Sequence, residues 1–536
     1  MPSSEAVRTL SPVARRLAGA LAAAGAFCVW TLFLTLVSRH TRYGSSDNAN
    51  ALLAGADMLR GNPLLRDWVL PTNSYWLVDL PVFGVAGVLF GVREILLHAV
   101  PAALAVVTIG AGVWMARAAR PAGRWWAGAG VLVILLGLPH LYLVITILQG
   151  PHHLGTALFC LIAFVLLARA RVGDLRWAAA AMLLAISVRS DPMAIAIGVI
   201  PVAAAGVLDA LRTRRLRALA GPFACAAAAL AGAVVLEALL RAGDGYTLRA
   251  DNPPYLKGWA ENLRATPTIL GALLGVLTRG NLPALSGGEK AAHFVGAALL
   301  VAALAVSLVR MVVGVARGDG PSDGDLATRR PVPSPAWLDD MLLLCGAGSV
   351  AVFAALTEPQ VQLLNARYLL PGLVCAVVLT ARRSVEVSHR VPAPALAAGL
   401  GLLAGVYATT PLATVRNPVP VNPSVEVVDW LAARDLDRGY GQYWVAGITT
   451  VTGREAVTVR PVVPVDGRLQ ANWNFGSRRW FEDERPFRFV VLAPAAHDGV
   501  DEEAAVRTFG APAETQDIGP FRLLVWDHPL AVPSQP

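Results

Sequence analysis

Charge is what this chain has least of. Only 15% of its 536 residues are Asp, Glu, Lys or Arg, and 55% are hydrophobic. A soluble globular chain carries roughly 25% charged residues, so an ordinary water-soluble fold is excluded. Lysine is nearly absent: Lys257 and Lys290 are the only two, and arginine carries the basic side, which reads as a compositional bias of the genome. Cysteine is also scarce. Cys28, Cys160, Cys225, Cys345 and Cys375 all fall in apolar runs without C-x-x-C spacing, so neither a disulfide framework nor a thiolate metal site is expected. Internal repeats are missing, as are matched Gly/Pro-broken helices, and both absences argue against a repeat-built transporter.

What is present is apolar length. Runs of about 18–24 apolar residues alternate with arginine clusters, and about 20 such residues cross a ~30 Å hydrocarbon core. The net charge of +8 lies between these runs rather than along one solvated face, which is the pattern of a membrane protein and not of a nucleic-acid binder. The fold class expected is a polytopic α-helical membrane bundle of about eleven spans, with a small soluble α/β domain. Candidate spans are 17–37, 95–116, 125–147, 154–168, 176–188, 192–210, 218–240, 291–315, 337–356, 368–380 and 391–410. The first reads as an uncleaved helix rather than a signal peptide, because it is long and lacks a small-residue cleavage site.

Arginine-rich loops mark the cytoplasmic side. Arg15/Arg16, Arg117/Arg120/Arg124, Arg169/Arg171/Arg176, Arg212/Arg214/Arg215/Arg217, Arg329/Arg330 and Arg382/Arg383/Arg390 occupy every second loop. The N-terminus is therefore expected in the cytoplasm of a multi-pass cell-membrane protein, with the C-terminal region outside. Leu77 to Gly91 is apolar but short and contains Asp79 and Pro81. Were it a span, every later loop would change sides, so an interfacial or re-entrant segment is expected. Asp323-Gly324-Asp325 resembles the D-x-D of nucleotide-sugar enzymes, but it stands alone in an acidic, Gly/Pro-rich linker and reads as coincidence.

Residues 1–410 form the expected membrane domain, with 38–94 as first extracytoplasmic loop, and 411–536 the extracytoplasmic domain. In the latter, helices are predicted at Ser424–Asp437 and Glu502–Thr508. Strands are predicted at Gln442–Thr449, Ala456–Val463, Phe487–Leu492 and Phe521–Trp526. It shows no glycine-rich phosphate loop, nucleophile elbow or metal-ligand cluster. Tyr440, Tyr443, Trp444, Trp473 and Trp480 would stack on a sugar or polymer, or else pack in a core, the commoner role of aromatics.

Ionisable residues at the membrane are functional candidates by default. Ser45-Ser46-Asp47-Asn48-Ala49-Asn50 opens an amphipathic helix that Gly61-Asn62-Pro63 ends. Asp47 is thus either an N-cap or a general base at the outer mouth of the bundle. Arg189 and Asp191 are expected to pair before Pro192.

Three places resemble the GT-C superfamily of membrane glycosyltransferases, which use polyprenyl-phosphate sugars and include the protein O-mannosyltransferase and aminoarabinose-transferase branches. They are Asp47 soon after the first helix, the Pro81–Gly91 run PVFGVAGVLFG before the second, and Asn365-Ala366-Arg367-Tyr368-Leu369-Leu370-Pro371 opening a late span. The usual loop motif has Pro-Pro where this chain has Val78-Asp79-Leu80-Pro81, which leaves branch and sugar open. The resemblance implies an inverting transfer of a monosaccharide from a polyprenyl-phosphate donor to an extracytoplasmic glycan, lipid or protein of the cell envelope. It implies Asp47 as base and Arg367 as contact to the leaving phosphate, for which a guanidinium is suited. His152, His153, Asp79, Tyr368 and Lys257 join Arg367 as expected substrate contacts, with Arg264 a weaker one. Some branches use a divalent metal, for which Asp47, His152 and His153 would be the ligands; the histidines would equally hydrogen-bond phosphate or sugar. The alternatives are a flippase for a lipid-linked intermediate and a non-catalytic envelope scaffold.

Overall fold

Among the described residues, eight helices are long and apolar enough to cross a membrane: Arg16–Thr41, Leu96–Arg117, Ile195–Thr213, Leu216–Ala242, Gly287–Arg317, Trp337–Leu356, Asn365–Arg390 and Ala393–Arg416. The computed structural model describes residues 11–118, 124–170, 174–249, 258–277, 285–318, 336–357, 363–482, 485–493 and 499–533. The pair Trp125–Gly137 and Leu141–Ile147, bent by 89° where Pro139 interrupts the helix, has the length and composition of a ninth, broken span or of a re-entrant loop. The helices Leu154–Arg169 and Leu175–Ser190, of 16 residues each, occupy the other two of the eleven expected places. Large apolar side chains on the outer helices, among them Val29, Val234, Phe294 and Val301, are exposed, as only a lipid surroundings would favour.

Leu80–Phe90 is an 11-residue helix, about 17 Å long at 1.5 Å per residue and too short to span. It crosses the helix Ser46–Leu59 at a glycine pair. A Cβ on Gly84 would strike the Gly55 carbonyl oxygen and lie 2.8 Å from its carbon. Gly84→Val is therefore expected to destabilise the protein by about 1–3 kcal/mol, as overpacking does. Thermal unfolding in detergent would read this as a lowered midpoint, and an unchanged midpoint would contradict it.

The C-terminal part carries a six-stranded sheet in the order β5–β4–β3–β7–β9–β8. Its strands are β3 Arg438–Gln442, β4 Thr458–Val465, β5 Arg468–Ala471, β7 Phe487–Leu492, β8 Glu514–Ile518 and β9 Phe521–Leu530. β3 runs parallel to β4 and β7, and the outer pairs are antiparallel. One expectation fails here. Gln442–Thr449, predicted as a strand from its β-branched residues, is instead the helix Tyr443–Thr452. Packing overrides propensity: Gly447 lets this helix lie against Ser46–Leu59 so closely that a Cβ there would sit 2.5 Å from Asn50 Oδ1.

A second, three-stranded sheet joins distant parts of the chain: β1 Trp68–Leu70, β2 Thr247–Leu248 and β6 Gly476–Ser477, in the order β2–β1–β6. Arg60 forks onto Glu455 at 3.0 and 3.1 Å, Arg479 pairs with Asp67 at 2.5 Å, and Trp68 meets Trp480 edge-on at 5.1 Å. The first long loop, the loop after Ala242 and the C-terminal sheet thus share one side of the bundle.

Candidate active site

Asp47 is not the N-cap of its helix. That role belongs to Ser45, whose hydroxyl accepts the Asn48 N–H at 3.5 Å, which leaves the half-buried Asp47 carboxylate free for other contacts. It accepts a 2.5 Å hydrogen bond from the hydroxyl of Tyr443, 396 residues away in the C-terminal part. Burial first, and the Asp47 charge second, push the Tyr443 phenol well above its ordinary value, so it remains a donor. Asp47 and Tyr443 line a cavity of about 340 Å³ with Trp444, Val462, Val463, Asn472, Asn474 and Val500.

Arg367 begins the helical segment Asn365–Arg390, lies over the Tyr368 ring at 5.5 Å, and interacts electrostatically with Tyr75, Tyr368 and Asp47. His152 lies within the same field: burial, then the Arg367 charge, push its imidazole down to about 3. The structure therefore brings Asp47, Arg367, Tyr368 and His152 into one group, with Tyr75 added from the first loop.

His153 is also in this group, though as the centre of a buried network. Its backbone is left-handed (φ 62°), and its Nδ1 meets Asp191 Oδ2 at 2.7 Å with both side chains fully buried. Asp191 also accepts from Thr156 Oγ1 at 2.8 Å and from the Met193 N–H at 3.1 Å. Burial alone would raise the Asp191 carboxyl, but these partners hold it below its ordinary value. The expected Arg189–Asp191 pair is not formed. Arg189 reaches Glu237 at 2.6 Å and lies over the Tyr246 ring at 4.9 Å, because Asp191 is already satisfied by His153. The His153 ring lies between Tyr75 and Tyr368, with centroids at 5.8 and 5.1 Å.

Asp79 packs on the same helix start. A Cβ on Gly155 would sit 2.5 Å from Asp79 Oδ2, so glycine is what admits the carboxyl to the backbone N–H there. Burial and the neighbouring Asp191 push Asp79 from 3.8 up to about 7. A carboxyl whose folded pKa lies above its unfolded value destabilises the fold above the unfolded value, and the loss stops growing past the folded one. Asp79→Asn is thus expected to gain thermal midpoint over the parent increasingly between pH of about 4 and about 7, and by a constant margin above. Unfolding scans across pH would show it, and a margin independent of pH would refute it.

The expected metal set does not assemble. Among the described residues no three His, Cys, Asp or Glu side chains converge on a common point; His153 is committed to Asp191, and His152 Nδ1 to the Thr146 carbonyl at 3.1 Å. Lys257 lies outside the described residues, and Arg264 is on an exposed helix face.

Two solved structures have this architecture. ArnT from Cupriavidus metallidurans bound to undecaprenyl phosphate matches with a TM-score of 0.52 at 13% identity, over 95% of this chain and 99% of that one. Its apo form gives 0.51 at 11% identity, over 94% and 98%. The chain has the ArnT-like fold. The Archaeoglobus fulgidus oligosaccharyltransferase matches 87% of this chain and 68% of its own, at 13% identity and a TM-score of 0.46. No protein-family model and no curated protein matches the sequence. The likeness therefore lies in fold rather than in sequence.

The residues that sequence reasoning missed are Tyr443 as a partner of Asp47, Tyr75, and the Thr156–Asp191–His153 network. Tyr443 was visible only as one aromatic among several in the C-terminal part. Thr156, three residues after His153 in the first turn of a helix, was a local signal.

Proposed function

We propose that the chain is an inverting glycosyltransferase that moves a monosaccharide from a polyprenyl-phosphate donor to an extracytoplasmic cell-envelope acceptor. The observation that carries this reading is the Asp47 carboxylate, freed from helix capping, at the edge of a cavity and within electrostatic reach of Arg367. Asp47 takes the proton of the acceptor hydroxyl. The acceptor oxygen attacks the anomeric carbon from the face opposite the phosphate; one C–O bond forms as the other breaks, and polyprenyl phosphate departs. Arg367 stabilises the charge growing on that phosphate, with the hydroxyls of Tyr75 and Tyr368 close by. The His153–Asp191 pair fixes the ring between those two tyrosines and so positions them. The structure in which undecaprenyl phosphate binds ArnT supports the donor class. The arginine pattern supports a reading in which this face lies outside the cytoplasm and the N-terminus inside, with residues 1–410 as the membrane domain and 411–536 as the outer one.

Purified protein offered a panel of polyprenyl-phosphate monosaccharides, with and without chelator, tests this. Release of polyprenyl phosphate together with a glycosylated product is expected with at least one donor. If no donor is consumed with any acceptor, the reading fails.

A further inference from the structure

The cavity beside Asp47 has a lining of a particular kind. Among the described residues, Asp47 is its one charged side chain; the other polar groups are the Tyr443 hydroxyl and the amides of Asn472 and Asn474, and the apolar walls are Val462, Val463 and Val500. Trp444 stands at its side, 56% exposed, with its ring edge-on to Tyr443 at 5.0 Å. The other aromatics of this region are engaged elsewhere: Trp473 lies under Arg478, and Trp480 under Arg460 and against Trp68.

Each feature selects against an acceptor class. A phosphorylated acceptor would need cations in contact, and among the described residues none lines the cavity, Arg249 reaching Tyr443 only through its charge; a cationic amine would find one carboxylate and no second anion. A neutral polyhydroxylated ring suits every wall: its C–H face covers an indole, and its vicinal hydroxyls both donate to and accept from carboxamides. The volume of about 340 Å³ lies at the small end of the ~300–1,000 Å³ of ligand pockets, fit for one sugar residue of a longer chain.

We infer that this cavity is the acceptor subsite and that it takes a neutral sugar residue stacked on Trp444, so that the acceptor is a glycan rather than a peptide, an amine or a phosphorylated lipid. The inference rests on the transferase reading for its role, though the binding it asserts stands without it. The incoming hydroxyl replaces that of Tyr443 on Asp47, which turns an interdomain hydrogen bond into the contact of the base with its substrate.

Two measurements separate the subsite from the transferase reading. In the first, malto-, manno-, galacto- and cello-oligosaccharides of several residues are offered to the full-length protein in nanodiscs without donor, and binding is read by saturation-transfer NMR. At least one series is expected to bind, with affinity reduced about 10-fold or more in Trp444→Ala and largely kept in Trp444→Phe. Absence of binding by all four series, or equal binding by Trp444→Ala, overturns the subsite. In the second, transfer is assayed with the donor panel, against the oligosaccharides and against Ser/Thr peptides. Trp444→Ala is expected to raise the KM for the oligosaccharide about 10-fold with little change in the KM for donor. Transfer to peptides alone overturns the subsite and leaves the transferase standing; Trp444-dependent glycan binding with no donor consumed does the reverse.

Discussion

Asp47→Asn is expected to lower sugar transfer by about 10²–10⁴-fold, the range of a positioned general base. Asparagine keeps the size of the side chain and still accepts from Tyr443 through its amide oxygen, so the 2.5 Å contact to the C-terminal part survives in kind. What is lost is the capacity to take a proton. The thermal midpoint of the variant should stay close to that of the parent, and donor binding should persist because Arg367 and its tyrosines are untouched. Undiminished transfer would remove Asp47 from the mechanism. Loss of transfer together with collapse of the fold would show that the Tyr443 contact, and not proton transfer, is what the carboxylate provides.

The second large effect concerns the opposite end of the bundle. Arg212 is held bidentately by Asp340, one contact to Oδ2 and the other from Nη2 to Oδ1 at 2.9 Å, with both side chains at 4% exposure or less. Beside them Asp339 receives Arg382 and Arg383 at 2.6 Å each, and Glu386 receives Arg383 at 2.8 Å and Arg310 at 2.6 Å. Asp340→Ala strands a buried guanidinium, and breaking a pair in this way costs about 3–5 kcal/mol. Replacing both partners by apolar residues, as in Arg212→Met with Asp340→Leu, should recover most of that loss, since no unpaired charge remains. Thermal unfolding of the two single variants and the double would measure it. A double variant as unstable as the worse single would mean that the pair acts through its neighbours.

The bundle was legible because lipid imposes a simple rule: a run that crosses must be apolar and about 20 residues long, and nine of the eleven expected places are such runs or one bent pair. Leu154–Arg169 and Leu175–Ser190 are shorter because one begins and the other ends at the buried pair His153 and Asp191. The strand predicted at Gln442–Thr449 failed because local propensity cannot register a partner in a helix so distant along the chain; what favours the helix is the fit of Gly447 against Asn50. Asp47 and Arg367 were readable as ionisable residues near membrane ends, but not what they touch. The expected metal ligands failed for a related reason. Adjacent histidines share a sequence position but not a direction, and the left-handed φ of His153 turns it to Asp191 while His152 faces Thr146.

The sheet β2–β1–β6 draws one strand from near residue 70, one from near 248 and one from near 477. Synthesis proceeds from the N-terminus, so the helices can enter the bilayer one after another while this sheet remains open. It closes only when the third strand has been made and has folded back, at the point where Tyr443 reaches Asp47. Until residues 443–477 have been made, both the third strand and the Tyr443 contact to Asp47 are missing.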